Sequence, residues 1–120
     1  MHNVRLDSSN ASDILSAYDI ILDCSDNLPT RYLLSDYTVA LKKPLVSGAA
    51  QKFDGQITTY NLPLTDGFGP CYRCMFPKPA APETVGTCEE TGIFGPVTGI
   101  IGTMQAIEAM RVLAGLSGTF

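Results

Sequence analysis

Short apolar runs alternate along this chain with segments whose apolar residues recur every three or four positions. That order of patterns predicts the elements. Residues 10–17 read as a short helix, with Asn10 or Ser12 as cap and Ile14 and Leu15 turned inward. Ile20, Ile21 and Leu22 form a continuous branched run between polar neighbours, which predicts a strand buried on both faces, as in a parallel sheet. A helix is expected from Leu28 to Lys42, capped by Asp26 or Asn27, with Pro29 in its first turn and Leu33, Leu34, Tyr37, Ala40 and Leu41 on one face. Lys42 and Lys43 suit the negative end of its dipole, and Pro44 ends it. The run Pro44–Ala50 then reads as a second buried strand. Strand, helix and strand over about thirty residues make a βαβ unit with a right-handed crossover.

Past this unit the pattern becomes more polar. Residues 55–62 approach alternation, with Ile57 and Thr59 on one side and Thr58 and Tyr60 on the other, as expected of a half-exposed strand. From Pro63 to Pro96 no helical period is visible, and three of the four cysteines fall there. A loop of that length inside a compact domain implies a function or a metal that organises it. The last element is a helix in which Val97, Ile100, Ile101, Met104, Ile107 and Met110 recur at helical spacing and Gly115 supplies the stop. Gly99 and Gly102 each cost such a helix about 1 kcal/mol relative to alanine. Their presence predicts a close approach of the helix backbone to a neighbour.

Composition narrows the class. The 120 residues suffice for one modest core, and 45% hydrophobic with 17% charged residues is a globular balance. A net charge of -4 with eight scattered basic residues disfavours direct nucleic-acid binding. No apolar run reaches the roughly 18 residues that span a bilayer, and the first ten residues lack the apolar core of a signal peptide. The expectation is a cytoplasmic chain without a membrane partner. In that setting cysteines serve as metal ligands, reactive thiols or buried apolar groups in preference to disulfides.

Two stretches can carry chemistry. Asp23-Cys-Ser-Asp-Asn27 follows the first buried strand, and ligands of open α/β sheets bind at the carboxyl ends of strands. A carboxylate there can hold Mg2+ on a nucleotide's phosphates. The plainer alternative makes Asp26 or Asn27 a helix cap and nothing more. Arg31, one turn into the helix, can pair with either aspartate, face a phosphate or stay solvated. Cys24, just past a buried strand, is expected to be a buried apolar residue. Cys71 and Cys74 form a single Cys-x-x-Cys between Pro70 and Pro77, half of a zinc site instead of the helix-start motif of a redox thiol. Cys88 is either a third ligand or a separate thiol. Its neighbours Glu89 and Glu90 do not activate it. His2, the sole histidine, reads as solvated.

Together these pieces resemble one family. LDCSDNLPTRYLLSDY, KPLVSGAAQKFDGQITTYN, CYRCMFP and TCEETGIFGPVTGIIGTMQAIEAMRVLAG occur in order and look like the ThiF/MoeB-type adenylating enzymes of ubiquitin-like sulfur carriers, in particular the eukaryotic branch that sulfurates molybdopterin synthase and thiolates tRNA. The resemblance runs from about Asn3 to Phe120. It implies an α/β fold: a partial Rossmann-like domain over 1–120, with a parallel βαβ unit, extra antiparallel strands, a cysteine-containing loop and a long C-terminal helix. It implies ATP, Mg2+ and Zn2+ as cofactors, a ubiquitin-like sulfur carrier as partner and a homodimer for the full-length enzyme. Asp26 matches the aspartate that handles Mg2+ and the phosphates, with Asn27 and Arg31 in the same motif. Cys88 matches a loop cysteine that acts covalently on the activated carrier, and Cys71 and Cys74 match the first two zinc ligands.

The family's glycine-rich nucleotide loop, its second cysteine pair and the rhodanese domain of this branch have no counterpart in the sequence. The expectation is therefore a chain inactive alone, which binds zinc weakly or by pooling two pairs in a dimer. The alternative is a non-catalytic binding or regulatory module derived from such an enzyme. A dehydrogenase fragment would need Gly-x-Gly-x-x-Gly after a strand, and a zinc-ribbon nucleic-acid module would need a second cysteine pair and a basic surface.

Overall fold

The computed structural model describes residues 3–25, 27–64, 67–77 and 94–115. Its centre is a three-stranded sheet in the order β1-β2-β3, formed by β1 (Ile21–Asp23), β2 (Leu45–Gln51) and β3 (Asp54–Tyr60). β1 and β2 are parallel, with Ile21 opposite Leu45 and Asp23 opposite Ser47. The helices α1 (Ala11–Leu15) and α2 (Leu28–Ala40) precede and follow β1, so β1, α2 and β2 form the expected crossover unit. β3 returns antiparallel to β2 through a tight turn at Lys52 and Phe53, with Lys52 at φ 54°. A small ribbon of β4 (Pro63–Leu64) and β5 (Gly67–Phe68), a one-turn helix α3 (Tyr72–Met75) and the long α4 (Gly95–Leu113) complete the described elements.

β1 starts one residue later than the apolar run suggests, and it is not buried on both faces. Ile21 and Asp23 are buried, whereas Leu22 is exposed. The strand therefore places an aspartate, not a third aliphatic side chain, in the interior at its carboxyl end. α2 begins as expected, with Pro29 in its first turn, and ends two residues early at Ala40. Leu34 is buried from its apolar face, but so are Tyr32, Ser35 and Thr38, while Ala40 is exposed. Lys42 then adopts φ 59°, which stops the helix, and the Lys43 ammonium donates to the carbonyls of Ser16 and Tyr18. That ties α1's exit to the start of β2.

The core lies between the sheet and α1, α2 and α3. Ala11, Leu15, Ile21, Tyr32, Leu34, Leu45, Tyr60 and Tyr72 form one buried cluster, with Leu6, Leu28, Tyr37 and Leu41 packed against it. Full burial of an aliphatic side chain such as Leu45 contributes about 1.5–3 kcal/mol. Tyr72 is the hub of the aromatic part: its ring centre lies 4.9 Å from Tyr32 and 5.5 Å from Tyr60, both edge to face. Asn61 closes this side. It sits at φ 54°, and its buried amide donates to the carbonyls of Thr38 (3.2 Å) and Lys43 (2.9 Å).

α4 covers the other face of the sheet. Its buried residues are Ile101, Gln105 and Ala109, a narrow seam four residues apart. The broader face expected from the sequence is not the contact face: Ile101 is buried, but Ile100, Met104, Ile107 and Met110 are exposed. Gly99 and Gly102 do not mark a close approach either. A Cβ at either would meet nothing within 4 Å. The glycines that let the helix in belong to the sheet. A Cβ on Gly48 would stand 2.4 Å from Gln105 Oε1, and one on Gly55 would stand 2.6 Å from Ile101 Cδ1. Gly115, at φ 74°, lies just past the helix end as the sequence predicts.

Candidate functional site

The parallel pair β1–β2 puts the carboxyl end of β1 beside the amino end of α2, the position at which open α/β sheets receive ligands. Asn27 is the N-cap residue there. Its extended backbone (φ -132°, ψ 147°) and its side-chain oxygen, which accepts from the Thr30 amide at 2.8 Å, satisfy one of the helix's orphan donors. Arg31 lies one turn in and is half-buried. Its Nη2 reaches the Ser25 carbonyl at a long 3.5 Å, and its Nε is buried with no partner among the described residues. Asp26, placed between these groups by the sequence, lies outside the described residues, as does Cys88.

Asp23 organises the turn out of β1. Only 1% of it is exposed, and Oδ1 accepts from both the amide (2.9 Å) and the hydroxyl (2.5 Å) of Ser25. Oδ2 is buried without a partner among the described residues. Cys24, expected to be buried, is exposed. The chain turns at the end of β1, so the residue after the strand points away from the interior that Asp23 occupies. Its thiol lies 3.8 Å from Gln105 Oε1.

The second candidate group is the cysteine knuckle. Cys71 and Cys74 flank Tyr72 and Arg73 on α3, and their sulfurs stand 3.4 Å apart. Two thiolates on one tetrahedral zinc stand about 3.8 Å apart, given bonds of about 2.3 Å, so the pair fits half of such a site. Among the described residues no group of three or more potential metal ligands assembles. Burial raises the Cys71 pKa. Hydrogen bonds from the Cys74 thiol and amide, the Arg73 amide and the Ser35 hydroxyl outweigh it and hold the thiol below its ordinary value.

Two anchors that sequence reasoning missed hold the knuckle in place. Tyr72 inserts into the core, and Arg73 forms a forked pair with Asp36 of α2 (2.7 and 3.1 Å) while its guanidinium lies 4.6 Å from the centre of the Tyr32 ring. The Tyr32 hydroxyl donates in turn to the Phe76 carbonyl at 2.6 Å. The signal was an aromatic and a basic residue enclosed by the two cysteines. Gln105 is the other omission, visible only as one amide in an apolar helix.

A parallel βαβ crossover whose second element starts with a polar cap at a strand end defines a Rossmann-like α/β class. Within that class the chain belongs to the ThiF family, whose family model matches residues 1–119. It is 57% identical over 115 residues to the adenylyltransferase and sulfurtransferase MOCS3 of Drosophila yakuba, which covers 96% of this chain and 24% of the fly protein. The MOCS3 proteins of Drosophila grimshawi and Aedes aegypti are 56% and 50% identical, over 96% and 98% of this chain. The chain spans about a quarter of the length of the curated relatives it matches. Among the described residues, no helix is long and apolar enough to cross a membrane.

Proposed function

We propose that this chain is the second half of the adenylation domain of an ATP-dependent activating enzyme, which adenylates the C-terminal glycine of a ubiquitin-like sulfur carrier. The carrier would serve tRNA thiolation, molybdopterin sulfuration or both, in the cytoplasm, and the full-length enzyme would be a homodimer. The observation that supports the reading is the carboxyl end of β1, where the buried Asp23 carboxylate and the Asn27 cap lie at the start of α2, on either side in sequence of the residue assigned to the phosphates.

A carboxylate is a poor electrophile; its attack on the α-phosphate of ATP, with pyrophosphate leaving, makes AMP the leaving group on the acyl carbon. Asp26 would hold Mg2+ at the phosphates, with Asn27 and Arg31 beside it. Bound there, the ion would offset the negative charge that opposes attack. Asn27, already engaged with the Thr30 amide, fixes the start of α2. Cys88 would attack the acyl-adenylate as a thiol nucleophile, forming the acyl–sulfur bond as AMP leaves. Cys71 and Cys74 would supply two of four zinc ligands, a structural role consistent with their anchoring to α2.

The test exchanges the 115 matched residues of the Drosophila yakuba relative for those of this chain. Carrier-dependent ATP–pyrophosphate exchange is expected to persist in the graft and to fall about a hundredfold or more with Asp26→Ala. The isolated chain is expected to show no exchange. A folded graft without exchange, beside an active unmodified relative, rejects the proposal.

A further inference from the structure

We propose that Gln105 is a positioning residue for the turn that leaves β1. Its effect on catalysis rests on the adenylation reading, whereas its effect on the turn does not. Gln105 lies in the middle of α4, on the seam between Ile101 and Ala109, and is 3% exposed. An apolar side chain there would fill the space without the cost of burying an amide. The carboxamide is instead fully engaged. Nε2 donates to the carbonyl of Asp23, the last residue of β1, at 2.9 Å and to that of Val46 in β2 at 3.2 Å. Oε1 faces the Cys24 thiol at 3.8 Å. One side chain from a distant helix thus holds the end of β1, its neighbouring strand and the first residue of the turn.

A second position is committed to the same arrangement. Gly48 of β2 leaves the space the carboxamide occupies, since a Cβ there would come within 2.4 Å of Oε1 and 2.5 Å of Cδ. Among the described residues, the turn is held on the opposite side by its own Asp23–Ser25 bonds and the long contact from Arg31. Loss of the Gln105 clamp therefore leaves β1's last carbonyl and the residues after it free to shift, and with them the direction in which Asn27 starts α2.

The decisive experiment compares Gln105→Met, which keeps length and loses the amide, with Gly48→Ala, which keeps the amide and displaces it. In the 120-residue chain, amide chemical shifts of Cys24, Ser25 and Asn27 are expected to move in both variants while those of Tyr72 and Arg73 on α3 stay. In the graft, kcat for pyrophosphate exchange is expected to fall roughly tenfold with little change in KM for ATP, the mark of misplaced groups and not of lost binding. Variants that melt earlier but keep the Cys24, Ser25 and Asn27 shifts in place overturn the proposal and make Gln105 a packing residue. If the unsubstituted graft is inactive, the adenylation reading fails, and the amide shifts alone decide the role of Gln105. Should Gln105→Met fail to fold, Gly48→Ala carries the same test.

Discussion

The two faces of the sheet differ in how completely they are covered. On one face α1, α2 and α3 close over Tyr60 and Leu45, and the tyrosines of three elements meet edge to face. On the other, α4 buries only Ile101, Gln105 and Ala109 among its described residues, with Glu108 accepting from the Thr59 hydroxyl at 3.2 Å, and Ile100, Met104, Ile107, Met110 and Leu113 stay exposed. The first face is a finished core. The second is a helix apolar on nearly every side, which in a larger assembly is the signature of a buried element. The difference shows that apolar residues in a sequence count the surfaces a helix can bury, and not the ones it buries against this part of the chain.

Substitutions on the two faces should therefore behave differently. Tyr72→Ala removes the hub of the closed face and is expected to destabilise by about 3–5 kcal/mol in urea unfolding. A loss under 1 kcal/mol would show that the cluster is looser than its geometry. Gly55→Ala presses a methyl against the end of the Ile101 side chain, which can yield, so a smaller cost of about 1–2 kcal/mol is expected. Arg73→Ala breaks the exposed pair with Asp36 and should cost about 1 kcal/mol or less, since both partners remain near half exposed. The double change Ile100→Ser and Met110→Ser on the outer side of α4 is expected to leave the unfolding free energy within about 0.5 kcal/mol while reducing self-association in sedimentation. A large destabilisation there would mean that this surface is already packed in the isolated chain.

The closed face has a pH signature as well. Burial raises the Tyr60 pKa above its ordinary value, against a weaker opposing hydrogen bond from Thr58. The folded state therefore favours the neutral phenol. Its contribution to stability is complete below the ordinary tyrosine pKa and is lost as pH rises through the raised one. Absorbance titration should find this phenol ionising late and together with alkaline unfolding. Tyr60→Phe should remove its share of that late step and leave that of Tyr32, whose pKa burial also raises.

Much of the frame was legible in the sequence. The β1–α2–β2 crossover followed from two apolar runs around an amphipathic segment, the cap from the alternatives Asp26 and Asn27, of which Asn27 takes the position, and the end of α4 from Gly115. The illegible parts share a physical cause, which is that periodicity does not encode distance to a neighbour. Gly99 and Gly102 suggested a close approach that Gly48 and Gly55 make instead, because nothing local distinguishes a glycine facing a partner from one facing solvent. β1 was displaced by one residue because a buried aspartate looks polar until its two bonds from Ser25 are seen. Cys24 was misjudged by residue type alone. Of the candidate site, Asn27, Arg31 and the Cys71–Cys74 pair stand on described elements near α2, while Asp26 and Cys88 lie outside the described residues.

The spacing of the knuckle gives the two residues between its sulfurs a job of their own. Tyr72 is driven into the interior and Arg73 is forked onto α2, so the two thiols are positioned by the protein itself. Capture of a metal would then demand little rearrangement from this side, and the entropy of assembling the coordination sphere would fall on whichever ligands come to meet it. Loosening Tyr72 or Arg73 would weaken such capture without altering a single donor atom.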